Sequence, residues 1–357
     1  MLANTEARPA QGISQPVPNI RQAVSDDKVR WNEYVLRHPQ GTFFHRYEWA
    51  DVLRRAFNHK TYYLIAENAG QTSGVLPLAH VNSMLFGNAL VSTPFCVYGG
   101  ILASDQSMFA ALQAAACDLA KSLGVDYLEM RNRQRRHPDW PVKDLYVTFQ
   151  RAISPDSETN MLAIPRKQRA MVRKGIQKGL QMRLDTEVTD LYRMYAESLR
   201  NLGTPVVARS YLQILKNTFG EDAEVVTITH NNNVVSSVMN FRFRDQILPY
   251  YGGGSSAARA VAANDFMYWQ VMERARALGL SHFDFGRSKR GTGAFDFKSN
   301  WGFEPQPLYY EYFLVRAREL PNLSPANPKY SRAIALWQRL PLPVANFIGP
   351  FVAKYLG

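Results

Sequence analysis

The sequence has few residues of the kinds that build metal and redox centres. Its 357 residues include two cysteines, Cys96 and Cys117, which lie in apolar segments and form no CxxC motif. Such cysteines are typical of small buried hydrophobic residues rather than of ligands or a disulfide. The seven histidines, among them His230 and His282, are scattered along the chain. We therefore predict no metal site and no tightly bound cofactor.

The sequence also lacks a targeting signal. Residues 1–17 contain neither the basic start nor the apolar segment of a secretory signal or a transit peptide, which favours a cytoplasmic protein. The first 20 residues are polar and loop-forming, and we expect a disordered arm over residues 1–20. The remaining chain is long enough for two domains of roughly 150 residues each.

Acidic residues are scarce relative to basic ones. The chain has 42 Lys and Arg against 30 Asp and Glu, which gives a formal net charge of +12. A positive surplus of this size favours anionic partners such as RNA, an acidic glycan or an anionic membrane surface. Charge alone does not choose among them.

Two segments of the chain follow one order of predicted elements. In the first, a hairpin with a turn at residues 68–71 precedes a strand that ends at Tyr98-Gly99-Gly100. A helix with one apolar face then runs to Leu123-Gly124, and residues 125–130 return as a strand.

The second segment repeats this order with nearly the same spacing. Strands at residues 224–230 and 234–241 precede Ile247 to Tyr250, which we expect to end at Tyr251-Gly252-Gly253. Tyr98 and Leu123 are 25 residues apart, and Tyr251 and Leu278 are 27 apart. Equal order and spacing indicate an internal duplication. We predict an α+β fold with one half at residues 21–155, the other at 156–318, and an apolar tail at 319–357.

A basic helix is predicted between the two repeats. It begins near Pro165, ends near Gly179 and carries no acid. Like charges four residues apart, such as Arg169 and Arg173, repel each other unless an anion lies beside them. Either a solvated basic face or an anion-binding helix fits this pattern.

The most informative stretch is Phe283 to Pro305. It contains a strand end with Asp284, followed by a closing loop that carries Arg287 and then Phe297-Lys298, before Trp301-Gly302-Phe303. Upstream, we expect the chain to turn at Tyr251-Gly252-Gly253, in what we call the glycine corner. A helix should follow, with Asn264 or Asp265 as its N-cap. Amides at such a helix start can hold an anion or polarise a carbonyl. Asp284 could orient a substrate amine, or it could cap the following loop.

These motifs, in this order, resemble the acyltransferases of the FemAB kind. The resemblance covers roughly residues 31–315 and implies tandem GNAT (acyl-CoA N-acyltransferase-like) domains, each with a mixed, mostly antiparallel sheet flanked by helices. It implies that Lys298, positioned by Phe297, stabilises charge on the attacked carbonyl, and that Arg169 or Arg173 grips acceptor phosphates. With these we group the remaining candidates for substrate binding, which are Tyr250, Tyr251, Gly252, Asn264 and Arg287.

The expected activity is direct transfer of an acyl or aminoacyl group to an amine of a cell-envelope precursor, either peptidoglycan or exopolysaccharide. No Gly-x-Ser-x-Gly elbow or Cys/His/Asn constellation indicates a covalent enzyme intermediate. The Phe-Asp-Phe-Gly-Arg strand end resembles the branch associated with exopolysaccharide export and PEP-CTERM sorting.

The sequence leaves the donor and two other functions open. Because no heptad stretch of a coiled-coil arm is present, use of aminoacyl transfer RNA is in doubt. Residues 252–259 lack the order of the loop with which ordinary GNAT enzymes hold coenzyme A, so acyl-coenzyme A is equally unsupported as the donor. The alternatives are a non-catalytic basic module that binds an anionic glycan or nucleic acid, and a coenzyme A-dependent acetyltransferase.

The last 18 residues are apolar with one charge. Residues 340–357 are too short, and too interrupted by proline, to span a bilayer. They could lie at the surface of an anionic inner membrane, helped by the positive charge of the chain, or pack against the protein itself.

Overall fold

The structure is a computed structural model that describes residues 18–84, 86–320 and 328–356. The predicted disordered arm lies outside the described residues up to Val17, whereas Asn19 and Ile20 already belong to the first strand. The helices are α1 Lys28–Arg37, α2 Glu48–Phe57, α3 Gln106–Leu123, α4 Ser157–Ala163, α5 Arg166–Gln177, α6 Thr189–Leu202, α7 Arg209–Phe219, α8 Ala263–Ala277, α9 Gly293–Asn300, α10 Pro328–Arg339 and α11 Leu342–Ala353.

The strands form three sheets. Their bounds are β1 Asn19–Gln22, β2 Lys60–Thr61, β3 Leu64–Asn68, β4 Gln71–Leu76, β5 Ala79–Ser83, β6 Gly87–Val91, β7 Leu102–Ala103, β8 Tyr127–Asn132, β9 Val142–Lys143, β10 Tyr146–Ala152, β11 Gln181–Asp185, β12 Ala223–His230, β13 Asn233–Phe243, β14 Gln246–Gly254, β15 His282–Asp284, β16 Ser288–Lys289, β17 Pro305–Pro307 and β18 Tyr309–Leu314.

Both halves contain the same strand–helix–strand unit. In the first half, α3 lies in the connection between β6 and β8, which pair in parallel, with Leu90 opposite Leu128. In the second half, α8 lies between β14 and β15, which also pair in parallel, with Ile247 opposite Phe283. Most other strand pairs are antiparallel. The predicted α+β fold with mixed sheets flanked by helices is confirmed.

The two halves exchange strands. β10 lies at the end of the first half of the chain but pairs with β15 of the second half, so that the second sheet has the order β11-β12-β13-β14-β15-β10-β16, with β17 also on β10. β18 lies at the end of the second half of the chain but between β8 and β9 of the first, in the order β2-β5-β6-β8-β18-β9. A single cut between residues 155 and 156 therefore does not separate the two sheets.

One aromatic core joins the halves. The ring of Phe43, from the first half, stacks on Phe241 of β13 with centroids 4.5 Å apart, and Trp49 contacts Phe219 at 5.2 Å. These four residues belong to one buried cluster that draws on both halves, while α3 covers one further core and α5 with α8 another. Burial of so much apolar surface between the halves fixes their relative position.

Local structure corrects two of the predicted elements. The second Tyr-Gly-Gly is not a corner, because β14 continues through Gly252 and Gly253 to Gly254, paired with β13. The predicted N-cap is also wrong: α8 begins at Ala263 after Ala262, whose φ is 58°, so that Asn264 is already helical.

The two cysteines are free and buried, as expected. Within the described ranges, no group of three or more His, Cys, Asp or Glu side chains is placed to hold a metal ion. In the same ranges, no helix combines the length and the apolar character needed to cross a bilayer.

Candidate functional site

Lys298 lies on a short helix, not in a loop as the sequence indicated. Thr292 begins α9, since its hydroxyl accepts a hydrogen bond from the Phe295 amide, the usual role of an N-cap threonine. Phe297 packs its ring among Tyr268, Phe285 and Trp301, with centroids 5.5 to 6.4 Å away. This aromatic cluster fixes the rotation of α9 and thereby the direction of Lys298.

The amino group of Lys298 is half-buried and held by backbone. Its Nζ donates to the carbonyl oxygens of Gly286 and Arg287, each at 3.0 Å, and lies 5.8 Å from the ring centroid of Phe149. The pKa of Lys298 is lowered to about 7, chiefly by burial; Asp284 opposes this shift and the nearby Arg287 adds to it. An ammonium group has three donors, so one remains for a substrate atom.

Asp284 caps the loop that holds Lys298. Its Oδ1 accepts from the Gly286 amide at 2.7 Å and from the Thr148 hydroxyl at 3.3 Å. Its Oδ2 accepts from Gln150 Nε2 at 2.6 Å and from the Tyr98 hydroxyl at 3.1 Å. Burial raises the pKa of Asp284, and these hydrogen bonds oppose the shift. Because both carboxyl oxygens accept hydrogen bonds from the protein, this arrangement favours the alternative in which Asp284 caps the loop over the one in which it orients a substrate amine.

Arg287 is half-buried among tyrosines. Its Nη1 donates to the Tyr310 hydroxyl at 3.0 Å, and its guanidinium lies 4.5 Å from the ring centroid of Tyr146. No carboxylate of the described residues lies within salt-bridge distance of it. Arg287 also lowers the pKa of Lys289, which burial brings to about 8. Lys298, Arg287 and Lys289 therefore form a cationic group at the end of β15.

An arginine-lined cleft lies next to Asp284, between the halves. It has a volume of about 490 Å³, and residues 98–102 and 131–136 of the first half line it together with Thr148 and residues 306–309. Arg133 donates to Gln150 Oε1 at 2.7 Å and lies 5.1 Å from the ring centroid of Tyr98. A continuous set of hydrogen bonds thus runs from the cleft through Gln150 and Asp284 to the loop at Lys298.

The basic helix adjoins α9 but leaves its cations outside this network. Gln168 of α5 and Trp301 at the end of α9 both donate to Asp265 Oδ1, at 2.6 and 3.0 Å. Arg169 is half-buried and donates to the Leu162 carbonyl at 3.4 Å, and Arg173 is exposed. The first turn of α5 is therefore close to α9, and a role for either arginine in binding an acceptor stays a prediction.

The remaining predicted residues are held by contacts with residues other than Lys298, although Tyr250 is close enough to Arg287 for the two to interact electrostatically. Tyr250 occupies a bulge of β14 and donates to the Phe95 carbonyl at 2.8 Å, and Tyr251 shares a 2.7 Å hydrogen bond with Tyr211. Gly252 pairs with Val238 in the sheet, while Asn264 lies against Gly254 at the start of α8. Both tyrosines pack on the core between the halves, and a substrate role for this group stays untested.

The structure adds site residues that the sequence reasoning missed. Arg133, Tyr98, Thr148 and Gln150 all join the network around Asp284. One signal was available: four arginines occur within residues 131–136, directly after the return strand of the first half. Arg287 follows the return strand of the second half, and an ungapped alignment of Leu123-Gly124 with Leu278-Gly279 places Arg287 opposite Asn132, whose two neighbours are arginines.

Comparisons with known proteins agree with this fold. Residues 166–299 match the family described as "Acetyltransferase (GNAT) domain". No curated protein matches the chain by sequence. The crystal structure of FemX superposes with a TM-score of 0.65 at 13% identity, covering 88% of this chain and 100% of that one.

Two other solved structures share the arrangement. A tandem GNAT protein from the clavulanic acid biosynthesis pathway has a TM-score of 0.53 at 14% identity, covering 83% of this chain and 97% of its own. The C-terminal domain of a putative lysylphosphatidylglycerol synthetase from Agrobacterium fabrum has a TM-score of 0.55 at 12% identity, covering 80% and 91%. The fold of the chain is therefore that of tandem GNAT proteins.

Proposed function

We propose that this chain is a FemAB-like acyltransferase that moves an acyl or aminoacyl group from an activated donor directly to an amine of a cell-envelope precursor. The observation that carries the proposal is the half-buried amino group of Lys298, anchored by two carbonyls and left with a third donor. The match of residues 166–299 to a GNAT acetyltransferase family supports the reaction type.

The chemistry assigned to Lys298 is electrostatic. The acceptor amine attacks the donor carbonyl carbon, a C–N bond forms, and negative charge develops on the carbonyl oxygen. The Lys298 ammonium stabilises that oxyanion. Collapse of the intermediate breaks the bond to the donor's leaving oxygen or sulfur, which takes up the proton that the amine loses. Phe297 and Asp284 act as positioning residues, the first through α9 and the second through the loop at Gly286.

The arginine-lined cleft supports an anionic acceptor. Arg133 and Arg136 are exposed at its wall, and guanidinium groups bind phosphates and carboxylates with paired hydrogen bonds. A peptidoglycan or exopolysaccharide precursor could bind these arginines through a phosphate or carboxylate and accept the acyl group on its amine. The resemblance to the branch associated with PEP-CTERM sorting favours the exopolysaccharide side.

One contact in the loop before α8 argues against the pyrophosphate of coenzyme A as a ligand there. There the Ser256 amide, at the place where GNAT enzymes hold that group, donates at 2.8 Å to the carboxylate of Glu197. A second negative group beside Glu197 would be repelled. We therefore favour a donor other than acyl-coenzyme A, such as an aminoacyl ester of transfer RNA, and we expect calorimetry to detect no saturable coenzyme A binding.

The test is a search for the product in cells. Envelope metabolites of a strain that lacks the gene are compared by mass spectrometry with those of the same strain carrying the wild type, Lys298→Ala or Lys178→Ala. Lys178 is an exposed lysine at the end of α5 and serves as the matched control. We expect one metabolite to lose the mass of an acyl or aminoacyl group on deletion, and to regain it with the wild type and the control only.

Two outcomes would contradict the proposal. If Lys298→Ala restores the metabolite fully, Lys298 is not the electrostatic catalyst. If deletion changes no metabolite although the purified protein binds an anionic glycan or nucleic acid, the chain is a basic binding module, which is the other class of function that its charge allows.

A further inference from the structure

Helix α11 packs on the protein through small residues, and its large apolar side chains point outward, which is the opposite of the usual arrangement. Its buried positions are small, namely Ala345, Gly349 and Ala353, at intervals of four residues. Gly349 lies against the backbone of Val206, where an added Cβ would be 2.8 Å from the carbonyl oxygen. This close approach explains why small residues face the protein. It also leaves the large side chains of the helix on the outer side.

The outward face of α11 is apolar. Phe347 is 74% exposed and Phe351 62% exposed, and their rings contact each other with centroids 6.1 Å apart. Val344 and Ile348 are partly exposed at positions 3 residues before Phe347 and 3 before Phe351. This spacing places the four side chains on one side of a helix. An exposed apolar cluster of this kind marks an interaction surface.

All charged residues of the C-terminal segment that carries this face are cations. No Asp or Glu occurs from residue 320 to residue 357, whereas Lys329, Arg332, Arg339 and Lys354 do. Lys354 follows Phe351 by 3 residues, so it continues the apolar side of α11. On α10, Arg332, Leu336 and Arg339 are all exposed, at a spacing that also corresponds to one side.

We propose that the outward face of α11 docks on the surface of an anionic bilayer, with the helix lying along the membrane. Phenylalanine and branched aliphatic side chains enter the boundary between headgroups and acyl chains, while Arg and Lys pair with lipid phosphates. The charges favour lipid over a second copy of the chain, because a two-fold dimer through this face would bring its cations together.

The proposal does not depend on catalysis, so its failure and that of the proposed function are distinguishable. Binding of the full-length protein is measured by co-sedimentation with vesicles of phosphatidylcholine alone and with 30% phosphatidylglycerol. We expect binding to the anionic vesicles, weaker binding at high salt, and unchanged binding for Lys298→Ala.

Matched variants identify the face. Phe347→Ser with Phe351→Ser removes the two most exposed rings and should weaken the partition coefficient at least tenfold. The control pair is Val29→Ser with Leu36→Ser on α1, whose side chains are 70% and 56% exposed, and it should bind like the wild type. Unfolding midpoints of all variants should agree, since none of these side chains is buried.

Three results would overturn the proposal. The first is a wild-type protein that stays in solution with anionic vesicles. The second is a Phe347→Ser/Phe351→Ser variant that binds anionic vesicles as well as the Val29→Ser/Leu36→Ser control does. The third is a wild-type protein that is dimeric in sedimentation velocity, together with a Phe347→Ser/Phe351→Ser variant that is monomeric but binds vesicles as the wild type does. That result would assign the face to a second copy.

Discussion

The two Tyr-Gly-Gly tripeptides have the same sequence and different structures. In the second half, Gly253 lies inside β14 and under α6, where an added Cβ would be 2.5 Å from the Met194 carbonyl oxygen. In the first half, Gly99 and Gly100 lie outside any strand and line the cleft. Both copies need glycine for close backbone approach. Only the first copy faces a space that a ligand could enter.

The segments that follow the return strands differ as well. After β8 the chain presents an arginine-rich loop to the cleft, whereas after β15 it presents the Asp284 turn and then α9 with Lys298. If both proposed roles hold, the two halves have different functions in the same reaction. The first half would bind the anionic substrate, and the second would supply the charge that stabilises the transition state.

The largest expected effect concerns catalysis in the second half. Lys298→Met should lower turnover at least 100-fold, as loss of one oxyanion donor does. Because the pKa of Lys298 is about 7, the ammonium form is lost as pH rises, and the wild-type rate should fall through a limb near pH 7. Lys298→Arg keeps its charge and should lack this limb in a pH–rate profile. A wild-type rate that instead rises through pH 7, in a way that Lys298→Arg abolishes, would make Lys298 a base.

The next largest effect concerns the hydrogen-bond network of Asp284, which links the two halves. Asp284→Asn places an amide where four donors converge and should lower the free energy of unfolding by about 2 to 3 kcal/mol. Urea denaturation measures this, with Asp296→Asn as the control because Asp296 is exposed on α9. Equal stability of the two variants would show that the network does not join the halves energetically.

A smaller effect should separate binding from catalysis. Arg133→Gln should weaken the affinity for inorganic pyrophosphate about tenfold, or about 1.4 kcal/mol, and raise KM for the acceptor with kcat unchanged. Calorimetry with Arg55→Gln, which removes the same charge from the exposed side of α2, provides the control. If both variants bind alike, the cleft is not the anion site.

The smallest effect distinguishes the two candidate anion sites. Arg173→Gln relieves repulsion on α5 and should raise the free energy of unfolding by about 0.2 to 0.5 kcal/mol. Its pyrophosphate affinity should fall less than that of Arg133→Gln. A larger loss would move the anion site from the first half to α5 and break the proposed division.

Local patterns explain what could be predicted from the sequence. α3 and its αL cap at Gly124, the hairpin around Ala69-Gly70 and the strand end at Asp284 all follow from periodicity and turn residues. The placement of Lys298 was wrong in one respect, because aspartate, phenylalanine and two glycines around it suggested a loop. Aromatic packing against Tyr268 and Trp301 stabilises α9 despite that weak local preference.

The sequence by itself determined the duplicated order of elements and the α+β class, since both depend on spacing along the chain, and its resemblance to the FemAB-type acyltransferases singled out Lys298 as the residue to test. Only the tertiary structure decided that β10 and β18 change places, that Asp284 joins Tyr98, Thr148 and Gln150, and that the first Tyr-Gly-Gly opens on an arginine-lined cleft. The strand exchange and the Asp284 network unite residues 100 or more positions apart, and the cleft brings residues 98–102 near residues 306–309. Such contacts form because packing of two complete halves brings them together, and no periodicity in the chain records them.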